Sequence, residues 1–338
     1  MNSNNIVFTK PNTAELVAEP VRAPAADEVV VKLAVSTISS GTERANLVGD
    51  PVVSIYSTGE EPAVFPRRCG YSSSGTVVQV GEGVTSLAVG DRVALAGSTH
   101  SQYVTIAAKN VYPIGELSFE EAALFYIGTF PLAAIRKCRL ELGESALVMG
   151  LGVLGLWAVP LLKAAGAVPV IAADPLPEKR EKALACGADY ALDPLAADFA
   201  DTVKQLTGGG ANVGIEVTGV GAGLNGILDC MAPFGRVALL GCTRHSDFSV
   251  DYYRKVHGPG ITLVGAHTQA RPKQESSAGW WTQSDDMQTL KRLCEQRRFS
   301  PSVLVDETHS PREAAAVYTR LATEKAFPVV QFDWRDLL

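Results

Sequence analysis

Apolar residues between Ile6 and Val111 come in short, valine-rich runs that Pro, Gly and Asp interrupt. Residues 29–34, 75–80, 91–95 and 102–106 are runs of this kind and predict a small all-β unit. At Ser118 the texture changes. Glu121 follows three residues later, the spacing of a capping box, and the stretch SFEEAALFYIGTFPLAAIRK then takes on helical periodicity.

From Ala146 onward short apolar runs alternate with helical stretches: ALVMG, VLGLWAVPLLKAAG, VPVIAAD, EKREKALACG, VGIEVTG, GLNGILDCMAPFG, RVALLG and ITLVGAH. Such alternation predicts βαβ units around a parallel sheet buried on both faces. The tail predicts a helix over 285–297, a strand near Val303, a helix over 311–323 and a strand over 329–332 that return to the first domain. The division expected is therefore 1–122 with 270–338, and 123–269 between them.

A chain of 338 residues is long for one core and comfortable for two. The net charge of −6, with no basic stripe, excludes a nucleic-acid partner, and Arg297–Arg298 reads as a solvated helix end. The six cysteines form no CxxC pair and no zinc-ribbon spacing, so reduced thiols in a cytoplasm are expected. The polar start MNSNNIVFTKP lacks the pattern of a secretory signal, and no apolar run approaches about 18 residues. A soluble protein without a membrane span is expected.

Gly150-Leu151-Gly152-Val153-Leu154-Gly155 follows a strand, opens a helix and precedes a second strand that ends at Asp174. Glycines there allow a tight turn and close approach of the backbone to a pyrophosphate, whose charge sits at the helix N-terminus. Asp174, about 20 residues on, is placed to accept the adenosine ribose hydroxyls and to repel a 2′-phosphate, which favours NAD over NADP. A ligand-free turn and a helix-capping Asp174 are the structural alternatives. Lys179 and Arg180 lie beside the adenine or are solvated.

With these features the chain resembles the medium-chain dehydrogenase/reductase superfamily, the relatives of zinc alcohol dehydrogenase. GYSSSGTVVQVGEGVTSLAVGDRV (70–93), the glycine turn, GAD (187–189) and IEVTG (215–219) carry the likeness over nearly the whole length. The resemblance implies an α/β protein: a GroES-like β-rich catalytic domain plus a Rossmann doubly wound parallel-sheet cofactor domain. It further implies NAD(H) as cofactor, a homodimer or homotetramer, and Thr129, Thr218, Gly241 and Gly265 along the cofactor. The family's zinc ligands are missing. Serine stands in the loop Ile38 to Glu43 where a thiolate is expected, Gly70-Tyr71-Ser72 replaces Gly-His-Glu, and the third position falls near Phe125 or Tyr126. Serine, tyrosine and phenylalanine do not make a tetrahedral zinc site, so no zinc is expected. The pattern is most similar to the zinc-free bacteriochlorophyllide dehydrogenase-type branch.

Without a metal, another group must handle the hydroxyl proton. Tyr71 is the first candidate acid/base, with packing in the old metal cavity as its alternative. Ser40 and Thr42 are placed to hydrogen-bond the substrate oxygen. A basic tyrosine would need a nearby positive charge, for which Arg67 and Arg68 are close in sequence. Glu43 is expected to orient a neighbour or bind an arginine, His267 to relay protons, and His100 less so. Trp280–Trp281 walls a pocket or fills a contact, and residues 51–66 and 270–282 shape the substrate site. The expected activity is interconversion of a small-molecule alcohol or polyol and its ketone. Reduction of an enone or quinone, and an idle NAD(H)-binding sensor, remain the alternatives.

Overall fold

The first valine-rich runs pair into two sheets. β1 (Asn2–Lys10) and β2 (Thr13–Pro20) form an antiparallel hairpin to which β4 (Arg67–Arg68) adds. β3 (Glu28–Thr37) is the axis of the larger sheet and pairs antiparallel with β5 (Ser72–Val80), β7 (Tyr103–Ala107) and β16 (Val330–Asp333). β6 (Arg92–Ala96) and β8 (Val111–Pro113) continue from β5, and β15 (Glu307–His309) lies beyond β16. Both faces of β3 are covered. Val29, Val31 and Leu33 join Phe8, Leu47, Tyr318, Phe332 and Trp334 in the main core, while Ala34 and Val35 meet Ala123 and Phe119. Each such large side chain contributes roughly 1.5–3 kcal/mol by leaving water.

In this computed structural model the described residues are 1–57, 59–246 and 248–337. Thr58, within the segment 51–66 expected to shape the substrate site, lies outside them, as do Asp247 and Leu338. Contacts divide the chain into Met1–Ile127 with Leu290–Leu338, and Gly128–Thr289. The second boundary falls later than the 269/270 read from sequence because Arg136 bonds Asp286, reaches Thr289 at 3.0 Å and stacks on Trp281 at 3.6 Å.

The second unit is built on a six-stranded parallel, Rossmann-like sheet: β9 (Ala146–Met149), β10 (Val170–Ala173), β11 (Tyr190–Leu192), β12 (Ala211–Glu216), β13 (Met231–Leu239) and β14 (Thr262–Gly265), ordered β11-β10-β9-β12-β13-β14. α4 (Val153–Ala164), α5 (Pro177–Ala185), α6 (Phe199–Thr207) and α7 (Gly221–Asp229) lie between successive strands. β9 and β10 are buried at every residue, which is why their sequences are unbroken apolar runs. Strand order reverses between β9 and β12. In open α/β sheets ligands bind outside the carboxyl ends of the strands at such a point.

Three sequence expectations are corrected. Residues 38–43 are not all loop, because Ser40 opens α1 (Ser40–Val48). The helical stretch after Ser118 breaks into α2 (Phe119–Ala122) and α3 (Phe125–Lys137); Ser118 does cap α2, accepting from the Glu121 N–H at 3.2 Å. The strand expected near Val303 is a 3-10 turn, Pro301–Leu304, since proline presets its first residue and Val303 is exposed. The tail's helices are α8 (Gln283–Glu295) and α9 (Ala314–Thr323). Among the described residues no helix is long and apolar enough to cross a membrane.

Candidate functional site

Gly150 begins the turn from β9 into α4 with φ of 96°, a left-handed conformation that glycine takes without strain. A Cβ on Gly155 would fall 1.9 Å from the Gly150 carbonyl oxygen, so only glycine lets α4 start this close to the end of β9. Gly152 differs: a Cβ there meets nothing within 4 Å. No side chain caps α4 at Gly152. The first-turn main-chain N–H groups, with those of Val153 and Leu154 among them, thus follow an uncapped Gly152 that has open space beside it, and could hold a pyrophosphate.

Asp174 stands just past β10. Its Oδ2 accepts the Leu151 N–H at 2.9 Å and its Oδ1 the Leu176 N–H at 3.0 Å. The carboxylate thus ties the glycine turn to the next loop, and a carboxylate has about four acceptor positions, so ribose hydroxyls can still be taken. Lys179 is half-buried on α5. Arg180 is drawn inward and donates to the carbonyls of Asp174 and Pro175 at 2.8 and 2.9 Å.

Thr218 follows β12 and packs on the glycine turn, where a Cβ on Gly150 would sit 2.9 Å from its methyl. Its N–H donates to Glu216 Oε1 at 2.7 Å, its hydroxyl donates to the same oxygen, and the Gly219 N–H reaches both carboxylate oxygens at 3.2 and 3.3 Å. Burial pushes the Glu216 carboxyl upward against these donors. The Gly241 N–H, past β13, donates to the Glu216 carbonyl at 2.8 Å. The loops at the switch point are therefore organised by Glu216, a residue the sequence reading did not single out. Its signal was an acidic side chain at the end of a buried strand, which must be hydrogen-bonded.

At the end of β14 the Gly265 carbonyl accepts from Lys137 Nζ at 3.3 Å. His267 Nδ1 accepts the Gln269 N–H at 3.2 Å, and burial, then Lys137, pushes its pKa down, favouring the neutral ring. Thr129 is fully buried with its hydroxyl 3.5 Å from both terminal nitrogens of Arg271. Trp280 and Trp281 are stacking partners for Lys137 and Arg136.

In the first unit, Ser40, Thr42 and Glu43 share the first turn of α1. The Tyr71 hydroxyl donates to Ser39 Oγ and is hydrogen-bonded by Thr42 as well, while Tyr126 sits edge-on at 5.7 Å. The serine brought to Tyr71 is thus Ser39 rather than Ser40. Burial pushes the Tyr71 phenol well above its ordinary pKa, with Glu43 and Tyr126 adding to the shift and the hydrogen bonds with Ser39 and Thr42 opposing it. The expected help from Arg67 and Arg68 is absent. Arg67 donates to the Val64 carbonyl at 2.8 Å and stacks on Phe65, and Arg68 pairs with Glu19, so both charges are engaged elsewhere. Tyr71 is consequently held as a protonated donor. Among the described residues no arginine pairs with Glu43; it accepts from the Ser39 N–H and from Tyr318 and contacts a fully buried His100.

The positions at which the resemblance puts zinc ligands offer a serine hydroxyl, a protonated phenol and, at Phe125, buried hydrocarbon. These residues do not fit a tetrahedral zinc ion, which takes thiolate, imidazole or carboxylate. Among the described residues no group of three or more His, Cys, Asp and Glu could hold a metal.

Residues 25–123 match the family model of the alcohol dehydrogenase GroES-like domain, and residues 153–280 that of zinc-binding dehydrogenases. The chain is 29% identical to D-guloside 3-dehydrogenase of Shigella flexneri over 289 residues, 80% of this chain and 82% of that protein. It is 30% identical to L-threonine 3-dehydrogenase of Thermococcus kodakarensis over 278 residues, 70% and 74% of the two chains. An alcohol dehydrogenase of Escherichia coli CFT073, solved with NADH, superposes with a TM-score of 0.82 at 20% identity over 98% of this chain and 99% of that one. With a GroES-like domain preceding a Rossmann-like sheet and dehydrogenases as its relatives over most of their length, the chain belongs to the medium-chain dehydrogenase/reductase superfamily of alcohol dehydrogenase-like oxidoreductases.

Proposed function

We propose that this protein is an NAD(H)-dependent, zinc-independent oxidoreductase that interconverts a secondary alcohol, on a polyol or sugar, and the corresponding ketone. The observation that carries this reading is Tyr71, a phenol that burial keeps protonated and that hydrogen-bonds with Ser39 and Thr42, at a place where the family puts a metal ligand. The nicotinamide supplies the hydride donor and acceptor. As the ketone oxygen gains negative charge, Tyr71 turns its single O–H from Ser39 Oγ to that oxygen and gives up its proton, so the phenol O–H bond breaks as the alcohol O–H bond forms. In the reverse direction the same oxygen takes the proton back. Ser39 and Thr42 hold the phenol's orientation, with Ser40 beside them on α1.

NAD over NADP is supported by Asp174, whose negative charge lies at the end of β10 and disfavours a 2′-phosphate. We assign the pyrophosphate to the N–H groups around Gly152, Val153 and Leu154, and the flanks of the cofactor to Thr129, Thr218, Gly241 and Gly265. Lys179 lies toward the adenine and His267 is a further proton carrier. A sugar or polyol is favoured because one relative is named for oxidation at the 3-position of a guloside.

The test is an assay of purified protein with NADH and NADPH against polyols, sugars, ketones, enones and quinones, with metal analysis of the same sample. NADH-linked turnover of a hydroxyl or ketone without stoichiometric zinc is the expected result. Stoichiometric zinc, NADPH-linked enone or quinone reduction, or tight NADH binding without any turnover would each overturn it.

A further inference from the structure

Three donors converge on the carboxylate of Glu43. Oε1 accepts the Ser39 N–H at 2.8 Å, Oε2 accepts the Tyr318 hydroxyl at 2.5 Å, and His100 Nε2 lies 3.2 and 3.1 Å from the two oxygens. Glu43 and His100 are 0% exposed and Tyr318 is 1% exposed. The chain of donors continues behind the histidine. The Trp334 indole, which can only donate, bonds Ser36 Oγ at 2.8 Å, and Ser36 Oγ lies 2.7 Å from His100 Nδ1. With Ser36 donating its O–H hydrogen bond to Nδ1, the neutral ring carries its own hydrogen on Nε2 and donates that hydrogen bond to Glu43. Every donor thus points at the carboxylate, which acts as acceptor only.

We infer that Glu43 is a positioning residue for Tyr71: it anchors the turn carrying Ser39, which accepts the Tyr71 hydrogen bond, and so sets a buried negative charge one hydrogen-bonded residue away from the phenol. This rests on the reading of Tyr71 as proton donor. A well-packed apolar side chain would fill the same space without desolvating a charge, so a carboxylate here calls for a role that depends on charge. Burial pushes the Tyr71 and Tyr318 phenols and the Cys69 thiol upward, and the Glu43 carboxylate adds to each shift, which helps to keep the Tyr71 proton in place. Tyr71 is faced by Tyr126, Ser39, Thr42 and Glu43; Glu43 is faced by His100, Tyr318 and Cys69, with Arg67 acting on Cys69 in the opposite sense.

The experiment compares wild type, Glu43→Gln and Tyr318→Phe by ultraviolet titration of tyrosinate, with Tyr71→Phe identifying the Tyr71 signal, and by the pH profile of kcat/KM. Glu43→Gln removes the charge and nearly keeps the shape. It is expected to move the Tyr71 titration and the alkaline limb down by about one pH unit, whereas Tyr318→Phe, which keeps the charge, leaves the limb in place. An unshifted Tyr71 titration in Glu43→Gln overturns the inference. The titration needs no turnover, so an inactive protein that still shows the shift would sink the catalytic reading of Tyr71 and leave the role of Glu43 standing. If Glu43→Gln does not fold, His100→Gln takes its place: a fall in kcat of about 10-fold with KM unchanged supports the inference, and wild-type kcat overturns it.

Discussion

Tyr71 donates its hydroxyl hydrogen to Ser39 Oγ across a separation of 32 residues, joining the start of β5 to the start of α1. Two adjacent serines are thereby set apart. Ser39→Ala is expected to lower kcat by about 10-fold more than Ser40→Ala, because it leaves a phenol held in place by one fewer partner. Steady-state kinetics of the two variants side by side would check this, and equal losses would count against it.

Tyr71→Phe keeps the ring and its edge-on packing against Tyr126 while removing the proton. A fall in kcat/KM of about 10² to 10⁴ is expected, with NADH affinity and thermal midpoint unchanged. Full activity in this variant would return Tyr71 to a packing role.

Gly155→Ala puts a methyl group against backbone rather than against a side chain that could swing away. The end of β9 and the start of α4 must separate, at a cost of roughly 1–3 kcal/mol of stability. NADH titration should show the affinity falling with it, since the turn that borders the open space is displaced.

Asp174→Ser withdraws a negative charge and loosens the Leu151 N–H at once. NADH is expected to bind more weakly and NADPH more tightly, so that their affinity ratio falls by at least about 10-fold, or about 1.4 kcal/mol. Isothermal titration with both cofactors measures it; an unchanged ratio would assign Asp174 to the turn alone.

Arg320, with help from His309, holds the Glu307 carboxyl down to about 2, burial opposing. Because the folded value lies below the unfolded one, the stabilisation is complete above about pH 4.3 and is lost as pH falls toward 2. The pair is partly exposed, so Glu307→Gln is expected to cost less than about 1 kcal/mol at pH 7. Urea unfolding at pH 7 and at pH 3 should show the two proteins converging at the lower pH.

The strands of both units were legible where burial on both faces makes the sequence continuously apolar, as in β9 and β10. α1 was not. Its residues SGTERANLV have weak amphipathic order, with buried Glu43 at a position that reads as polar surface. Val303 misled in the opposite way, a β-branched residue exposed on a turn that Pro301 begins.

By itself the sequence determined the glycine turn between β9 and α4, because a strand, three spaced glycines and a helix are contiguous and their geometry follows from local backbone freedom. It likewise carried the serine, tyrosine and phenylalanine at the positions where the resemblance puts zinc ligands, since that is a matter of residue identity. Only the tertiary structure decided what surrounds those positions. Ser39 in place of Ser40, arginines engaged away from Tyr71, and a Glu43 bound by residues 57 and 275 positions away all depend on how distant segments pack. A buried carboxylate must take whichever donors the fold brings to it, and that choice is made by packing rather than by spacing along the chain.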